Sequence, residues 1–148
     1  MKVNCLCKES KLLKVFLEND HFKNDSNECD ELRSKLNNFL NGEEVDFKEN
    51  VDLSLLNLTK FQKKVLFETY KIPYGEVRTY KEIADAVNSK AYRAVGNALN
   101  KNPIAFAIPC HRVIGSNKLL TGFRLGLELK KQLLINEGHE IIKDKLIF

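Results

Sequence analysis

The chain has 148 residues, of which 43% are hydrophobic and 30% are charged. This composition excludes a disordered or collagen-like chain and suffices for one domain, or two small ones, with a buried core. No apolar run approaches the roughly 20 residues of a membrane span, and the first residues are too polar for a signal peptide. We therefore expect a cytoplasmic protein that has no membrane partner and whose cysteines stay reduced.

The net charge of +4 is unevenly distributed along the chain. Residues 1–58 carry eight Lys and Arg against twelve Asp and Glu, whereas residues 59–148 carry sixteen against eight. A basic second part is typical of proteins that bind a polyanion such as nucleic acid. The alternative is that lysine, which supplies 19 of the 24 cationic residues, simply covers a solvated surface.

We expect an α+β chain with a small strand-and-helix domain at residues 1–58 and a mainly helical domain at residues 59–148. In the first domain, short strands are predicted at residues 15–17 and 45–47. Residues 29–40 have apolar side chains at helical spacing and are followed by an Asn-Gly pair that ends the helix.

The second domain opens with a helix that starts near Thr59. Thr79 and Glu82 have the spacing of a capping box, which predicts the start of a second helix. A short turn at residues 88–89 leads to a third helix over residues 90–100, with Ser89 able to cap it. Two short helices joined in this way predict a helix-turn-helix.

On the third helix, Arg93 is predicted to project away from the core. The buried stripe comprises Ala91, Ala94, Val95, Ala98 and Leu99. Gly96 flanks Arg93 on the exposed side, where a glycine costs roughly 1 kcal/mol relative to alanine. Either another backbone approaches closely at Gly96, or Gly96 packs against a neighbouring helix.

The most reactive run of the chain is Pro109-Cys110-His111-Arg112. It follows a predicted extended segment at residues 104–108 and precedes a last helix at residues 125–136. Cysteine attacks as its thiolate, and neighbouring cationic or basic groups lower the thiol pKa from about 8.5. Because adjacent side chains tend to diverge, we expect a water to join the thiol and the imidazole.

In combination, these segments resemble the O6-alkylguanine-DNA alkyltransferases, also called methylated-DNA–protein-cysteine methyltransferases. The resemblance covers about residues 59–148 and implies a ribonuclease H-like fold for the N-terminal domain. It is carried, in this order, by Phe61-Gln62-x-x-Val65-Leu66, Ile72-Pro73-Tyr74-Gly75-Glu76-Val77, Thr79-Tyr80, Arg93-Ala94-Val95-Gly96, Asn102-Pro103, Ile108-Pro109-Cys110-His111-Arg112-Val113-Ile114 and Glu137-Gly138-His139.

The resemblance implies five catalytic residues. Cys110 would accept the alkyl group, His111 would act on the thiol through a water, and Glu137 would orient the imidazole. Tyr80 would hydrogen-bond the guanine and help to protonate it as it leaves. Asn102 would hold the active-site turn.

The resemblance also implies a DNA-binding surface in which Arg93 fills the place of the extruded base. Its residues are Thr79, Tyr92, Arg93, Ala94 and Gly96. The pocket that reads the base would include Val113, Phe123 and Arg124. Tyr92 departs from the family pattern, in which a small residue is common, and Phe123 stands where a tyrosine is common.

The implied substrate is double-stranded DNA carrying O6-alkylguanine, together with O4-alkylthymine. A base inside a duplex must be extruded, at a cost of a few kcal/mol, before its O6 substituent can react. The thioether that results is not hydrolysed by water, so one chain should react once. We expect a monomer that binds the minor groove and uses no cofactor.

Three alternatives remain open at this point. Cys5, Cys7, Cys29 and His21 could bind a structural zinc ion, although buried or idle thiols are the simpler interpretation. The helix-turn-helix could belong to a DNA-binding regulator that performs no chemistry. The thiol and the imidazole could instead form a cysteine hydrolase that turns over repeatedly.

Overall fold

The computed structural model describes residues 2–17 and 29–147. In the first part of the chain, β1 (Val3–Lys8) and β2 (Lys11–Leu17) form an antiparallel hairpin. Helix α1 (Asp30–Leu40) packs against β1. The predicted helix and the strand at residues 15–17 are confirmed. A hairpin and one helix do not establish the ribonuclease H-like arrangement, which stays an expectation.

The strand predicted at residues 45–47 is wrong. This stretch pairs with no strand among the described residues, and Phe47 leads directly into a 3₁₀ turn at Lys48–Asn50. The side chain of Asp46 accepts a hydrogen bond of 2.8 Å from the backbone N–H of Lys48. Such a local side-chain contact bends the chain and competes with strand pairing.

The expectation that the cysteines stay reduced is also wrong. Cys7 in β1 and Cys29, directly before α1, form a disulfide. Sulfur atoms in a disulfide cannot serve as thiolate ligands of zinc, so two of the four candidate zinc ligands are already committed. The third cysteine, Cys5, is buried and is not part of this disulfide, and His21 lies outside the described residues.

The second part of the chain is mainly helical, as predicted. Its elements are α2 (Lys60–Tyr70), β3 (Arg78–Thr79), α3 (Tyr80–Ala86), α4 (Tyr92–Asn100), β4 (Val113–Ile114), α5 (Leu127–Asn136), β5 (Ile141–Ile142) and β6 (Lys145–Leu146). Thr79 and Glu82 form the predicted capping box. A second capping box, between Thr59 and Gln62, starts α2.

Helix α4 begins two residues later than predicted. The hydroxyl of Ser89 accepts the backbone N–H of Ala91 at 3.0 Å, and Ala91 occupies the N-cap. Ala91 is therefore exposed rather than part of the buried stripe. Helix α5 similarly starts at Leu127, because Gly126 before it has a φ of 106°.

The extended segment predicted at residues 104–108 is a buried turn instead. The N–H of Ile108 donates to the carbonyl oxygen of Ile104 at 3.0 Å. Phe106 has a φ of 74°, a value uncommon for a bulky residue. This turn leads the chain into the segment that contains Cys110.

The buried core runs without a gap across the predicted domain boundary at residue 58. The N–H of Val15, in β2, donates to the carbonyl oxygen of Pro103 at 2.8 Å. The predicted division into two domains at residue 58 therefore stays a prediction, because residues on both sides of it share one core. Within the two described ranges, none of the helices reaches the length and apolar character that crossing a bilayer requires.

Candidate active site

Cys110 is the first residue of a buried 3₁₀ turn, Cys110–Arg112. The side chain of Asn102 binds the backbone of the segment that precedes this turn. The Asn102 amide donates to the carbonyl oxygen of Ile108 at 2.8 Å. Its oxygen accepts the N–H of Ile104 at 3.0 Å. One side chain thus joins both ends of the turn that precedes the thiol, which is the position expected of Asn102.

The electrostatics of Cys110 differ from the expectation that its neighbours lower the thiol pKa. Burial raises the pKa of Cys110 above its ordinary value. The hydrogen bond from Asn102 and the charges of Lys130 and Arg124 act in the opposite direction but do not outweigh burial. The adjacent His111 and Arg112 side chains are directed to Glu137 instead, so the free protein holds a protonated thiol.

His111 and Glu137 are separated by 26 residues and meet in the interior. Nε2 of His111 lies 2.7 Å from Oε2 of Glu137, with the two side chains 0% and 1% exposed. Burial lowers the pKa of His111, although the hydrogen bond and charge of Glu137 raise it. With a neutral imidazole, Nε2 carries the hydrogen and Nδ1 is the basic nitrogen. Nδ1 is buried and has no hydrogen-bond partner among the described residues.

Tyr80 is brought to this site by a short parallel pairing of β3 with β4. The pairing places Thr79, directly before Tyr80, opposite Ile114, shortly after Cys110. Tyr80 is half-buried, and its hydroxyl donates to the carbonyl oxygen of Thr121 at 2.8 Å. Burial raises the pKa of Tyr80, so its phenol stays protonated and can donate.

Lys130 is a site residue that the sequence analysis missed. Its side chain is fully buried, and Nζ donates to the carbonyl oxygens of Val113 at 2.7 Å, Thr121 at 3.1 Å and Gly122 at 3.3 Å. Burial lowers the pKa of Lys130 to about 8, whereas a thiolate at Cys110 would raise it.

The sequence contained a signal for a buried position at Lys130. This residue precedes Leu133 and Leu134 by three and four residues and therefore lies on the buried stripe of α5.

The predicted base-pocket residues lie on segments that hydrogen bonds connect to the active-site turn. Val113 is buried in β4, and Phe123 is half-buried against the core. Arg124 is exposed, and its Nη1 donates to the carbonyl oxygen of Asn102 at 3.3 Å. Phe123 and Arg124 directly follow Thr121 and Gly122, whose carbonyl oxygens accept hydrogen bonds from Lys130. The hydrogen bond from Arg124 to Asn102 connects this segment to the active-site turn.

The predicted DNA-binding residues lie mainly on α4, outside the thiol site. Arg93 is exposed and Tyr92 is 47% exposed, while Ala94 is half-buried. A Cβ placed on Gly96 would meet nothing within 4 Å, so the alternative that Gly96 packs against another helix is wrong. Thr79 serves as the N-cap of α3.

Comparison with known proteins gives consistent results over most of the chain. Residues 60–139 match the family model described as 6-O-methylguanine DNA methyltransferase, DNA binding domain. A methylated-DNA–protein-cysteine methyltransferase of Sulfurisphaera tokodaii is 44% identical over 127 residues, which are 86% of this chain and 74% of the relative.

Two solved structures with DNA are also similar. Mycobacterium tuberculosis OGT in complex with DNA is 36% identical with a TM-score of 0.78, covering 91% of this chain and 85% of that one. S. pombe Atl1, in complex with damaged DNA containing O6-carboxymethylguanine, is 34% identical with a TM-score of 0.52. That match covers 58% of this chain and 82% of the Atl1 chain.

Proposed function

Because the chain belongs to the methylated-DNA–protein-cysteine methyltransferases, enzymes of DNA repair, we propose that Cys110 accepts the alkyl group from O6-alkylguanine in DNA. One observation carries this assignment. The thiol begins a turn whose next residue, His111, keeps Nδ1 free while Glu137 holds Nε2 at 2.7 Å. This arrangement supplies a base for the thiol proton within a site that is shielded from bulk solvent.

The transfer is a displacement at an sp³ carbon. The thiol of Cys110 gives its proton through a water to Nδ1 of His111, and the sulfur forms a bond to the alkyl carbon. The bond between that carbon and O6 breaks, and its electron pair stays with the guanine. Tyr80 supplies a proton to the departing base and regains one from His111, so the guanine leaves neutral. To do so, Tyr80 exchanges its hydrogen bond with Thr121 for one with the base.

The product is a thioether at Cys110, which water does not cleave. Reversal would require a second thiol next to Cys110, and among the described residues the other cysteine outside the disulfide, Cys5, is buried in β1. We therefore propose one transfer per chain. The step as written consumes no cofactor, and O4-alkylthymine offers the same alkyl–oxygen bond as a second substrate.

The exposed face of α4 suits the DNA side of this function. Arg93 projects to solvent and Gly96 leaves open space beside it. We propose that α4 enters the minor groove as the second helix of a helix-turn-helix, and that Arg93 fills the gap left by the extruded base. The excess of Lys and Arg after residue 58 would add salt-dependent affinity for the backbone of double-stranded DNA. We propose that the protein acts as a monomer.

Intact-mass spectrometry after incubation with duplex DNA bearing O6-methylguanine tests the proposal. We expect one added methyl group per chain, located on the peptide that contains Cys110, and no adduct in Cys110→Ser, which still binds DNA. Absence of an adduct on the folded wild-type chain would contradict the proposal and favour a regulator. Repeated turnover of acyl substrates would favour the cysteine hydrolase.

A further inference from the structure

Glu137 is shared between His111 and a second partner, Arg112. Nε of Arg112 donates to Oε1 of Glu137 at 2.7 Å, while His111 uses Oε2 at the same distance. The backbone N–H of Gly75 also donates to Oε1, at 3.1 Å. The two carboxylate oxygens are therefore assigned to different partners, and the carboxylate cannot rotate without breaking three hydrogen bonds.

Arg112 is itself fixed on two further sides. Its Nη1 donates to the carbonyl oxygen of Ile72 at 2.8 Å, and its guanidinium lies 5.5 Å from the ring centroid of Tyr74. The Tyr74 hydroxyl in turn donates to the carbonyl oxygen of Asn136, directly before Glu137. The Arg112 side chain is 9% exposed, and each of these contacts restrains the direction of its guanidinium.

We propose that Arg112 is a positioning residue for the transfer, which reserves Oε2 of Glu137 for His111 and fixes the imidazole with its hydrogen on Nε2. The inference rests on the role proposed above for His111. Among the described residues, the hydrogen bonds of the Arg112 side chain go to Glu137 and Ile72, so Arg112 acts on the imidazole through the carboxylate. A planar guanidinium suits this task because its N–H donors have fixed directions.

The charged residues around His111 also favour a neutral imidazole. Three charged side chains act on it: Glu137 at the end of α5, Arg112 in the 3₁₀ turn and Lys130 on α5. Glu137 favours the imidazolium, whereas burial and both cations oppose it and keep the pKa of His111 low. Loss of Arg112 removes one opposing cation and leaves the whole carboxylate to the imidazole. Both changes favour an imidazolium that cannot accept the proton of Cys110.

Nitrogen NMR of ¹⁵N-histidine-labelled protein tests the inference without relying on alkyl transfer. In the wild type we expect neutral His111 with its hydrogen on Nε2 throughout pH 5.5–8. In Arg112→Gln the pKa of His111 should rise into this range, and Arg112→Lys, which keeps the charge but not the fixed donor directions, should reverse this rise only in part. Arg33→Gln, which removes another partly buried guanidinium from α1, is the control and should leave His111 unchanged.

The transfer rate gives a second readout. In Arg112→Gln the single-turnover rate should fall about tenfold at pH 6, because a pKa of His111 one unit above the assay pH leaves about a tenth of the imidazole neutral. The rate should recover towards that of the wild type at pH 8.5. An equal loss at every pH, or an unchanged His111 titration in the folded variant, would overturn the inference. Should Arg112→Gln not fold, a wild-type His111 that titrates at or above its ordinary pKa overturns it. A wild type that forms no adduct refutes the proposed function alone.

Discussion

The ring of Phe39, on α1, lies 5.7 Å from the imidazole of His111 and covers one side of it. Phe39 also packs against Phe106 at 5.9 Å and Tyr74 at 6.5 Å. The first part of the chain thus supplies part of the wall around the site. Burial is the main cause of the lowered pKa of His111, and Phe39 contributes to that burial.

Replacing Phe39 by alanine should lower the free energy of unfolding by about 3–5 kcal/mol, the usual cost of a large cavity. It should also slow alkyl transfer, because water reaches the imidazole. Urea unfolding and single-turnover kinetics measure the two effects. Phe67→Ala is the matched control, since Phe67 is 49% exposed. Equal effects of the two substitutions would contradict the role of Phe39.

Lys130→Met should slow transfer about tenfold at neutral pH, the effect of a one-unit rise in the thiol pKa of Cys110. Methionine keeps much of the apolar stem but removes the cation that lowers this pKa. The buried carbonyl oxygen of Val113 loses the hydrogen bond from Nζ, which should cost about 1–3 kcal/mol of stability, whereas Thr121 keeps the hydrogen bond from Tyr80. Lys131→Met, a substitution at the half-exposed neighbour, should leave the rate unchanged. Similar rates for both variants would show that Lys130 has no electrostatic effect on the thiol.

The stability of the protein should depend on pH through Glu137. Burial raises the pKa of this carboxyl, but the hydrogen bonds from His111 and Arg112 and the charge of Arg112 outweigh it and bring the pKa to about 2, from an ordinary 4.5. Between these values the unfolded chain binds more protons than the folded one, so stability is lost as the pH falls through this window. The shift corresponds to about 3 kcal/mol at most.

Glu137→Gln should therefore flatten the dependence of the unfolding free energy on pH between 5 and 3. Urea unfolding at closely spaced pH values measures the slope. Glu140→Gln, which changes an exposed carboxylate on the same segment, should keep the wild-type slope. Parallel curves for wild type and Glu137→Gln would refute the assignment.

Reduction of the disulfide between Cys7 and Cys29 should destabilise the protein by about 3 kcal/mol, because the bond closes a loop with a sequence separation of 22. Thermal unfolding with and without dithiothreitol measures the effect. Cys29→Ser should unfold at the same temperature in both conditions. A wild type that is indifferent to the reductant would show that these two thiols are not joined in solution.

Arg93→Ala should slow repair in duplex DNA by about tenfold or more, which corresponds to 1.4 kcal/mol of the few kcal/mol needed for extrusion. Reaction with free O6-benzylguanine should be nearly unchanged, since no base stack has to be filled. Lys48→Ala removes an equal charge from the first part of the chain and controls for overall electrostatics. Equal losses on both substrates would exclude a role of Arg93 in extrusion.

Several features of the protein were predictable from neighbouring residues alone. Helical spacing predicted α2 and the exposed position of Arg93, and one capping box predicted the start of α3, because these rules act within one or two turns of the chain. The strand at residues 45–47 and the extended segment at residues 104–108 were predicted wrongly. There, one side-chain contact and the turn around Phe106 outweighed the local preference.

The sequence by itself determined which reactive groups the protein has, and in which order, since the thiol, the imidazole and the carboxylate are recognisable from their motifs. Only the tertiary structure decided their electrostatic state. Burial sets the pKa of Cys110, and the charges that oppose burial come from Lys130 and Arg124, which are distant in the sequence. Desolvation and Coulomb interactions depend on distance in space, and the packing of α5 and α1 around one 3₁₀ turn fixes that distance.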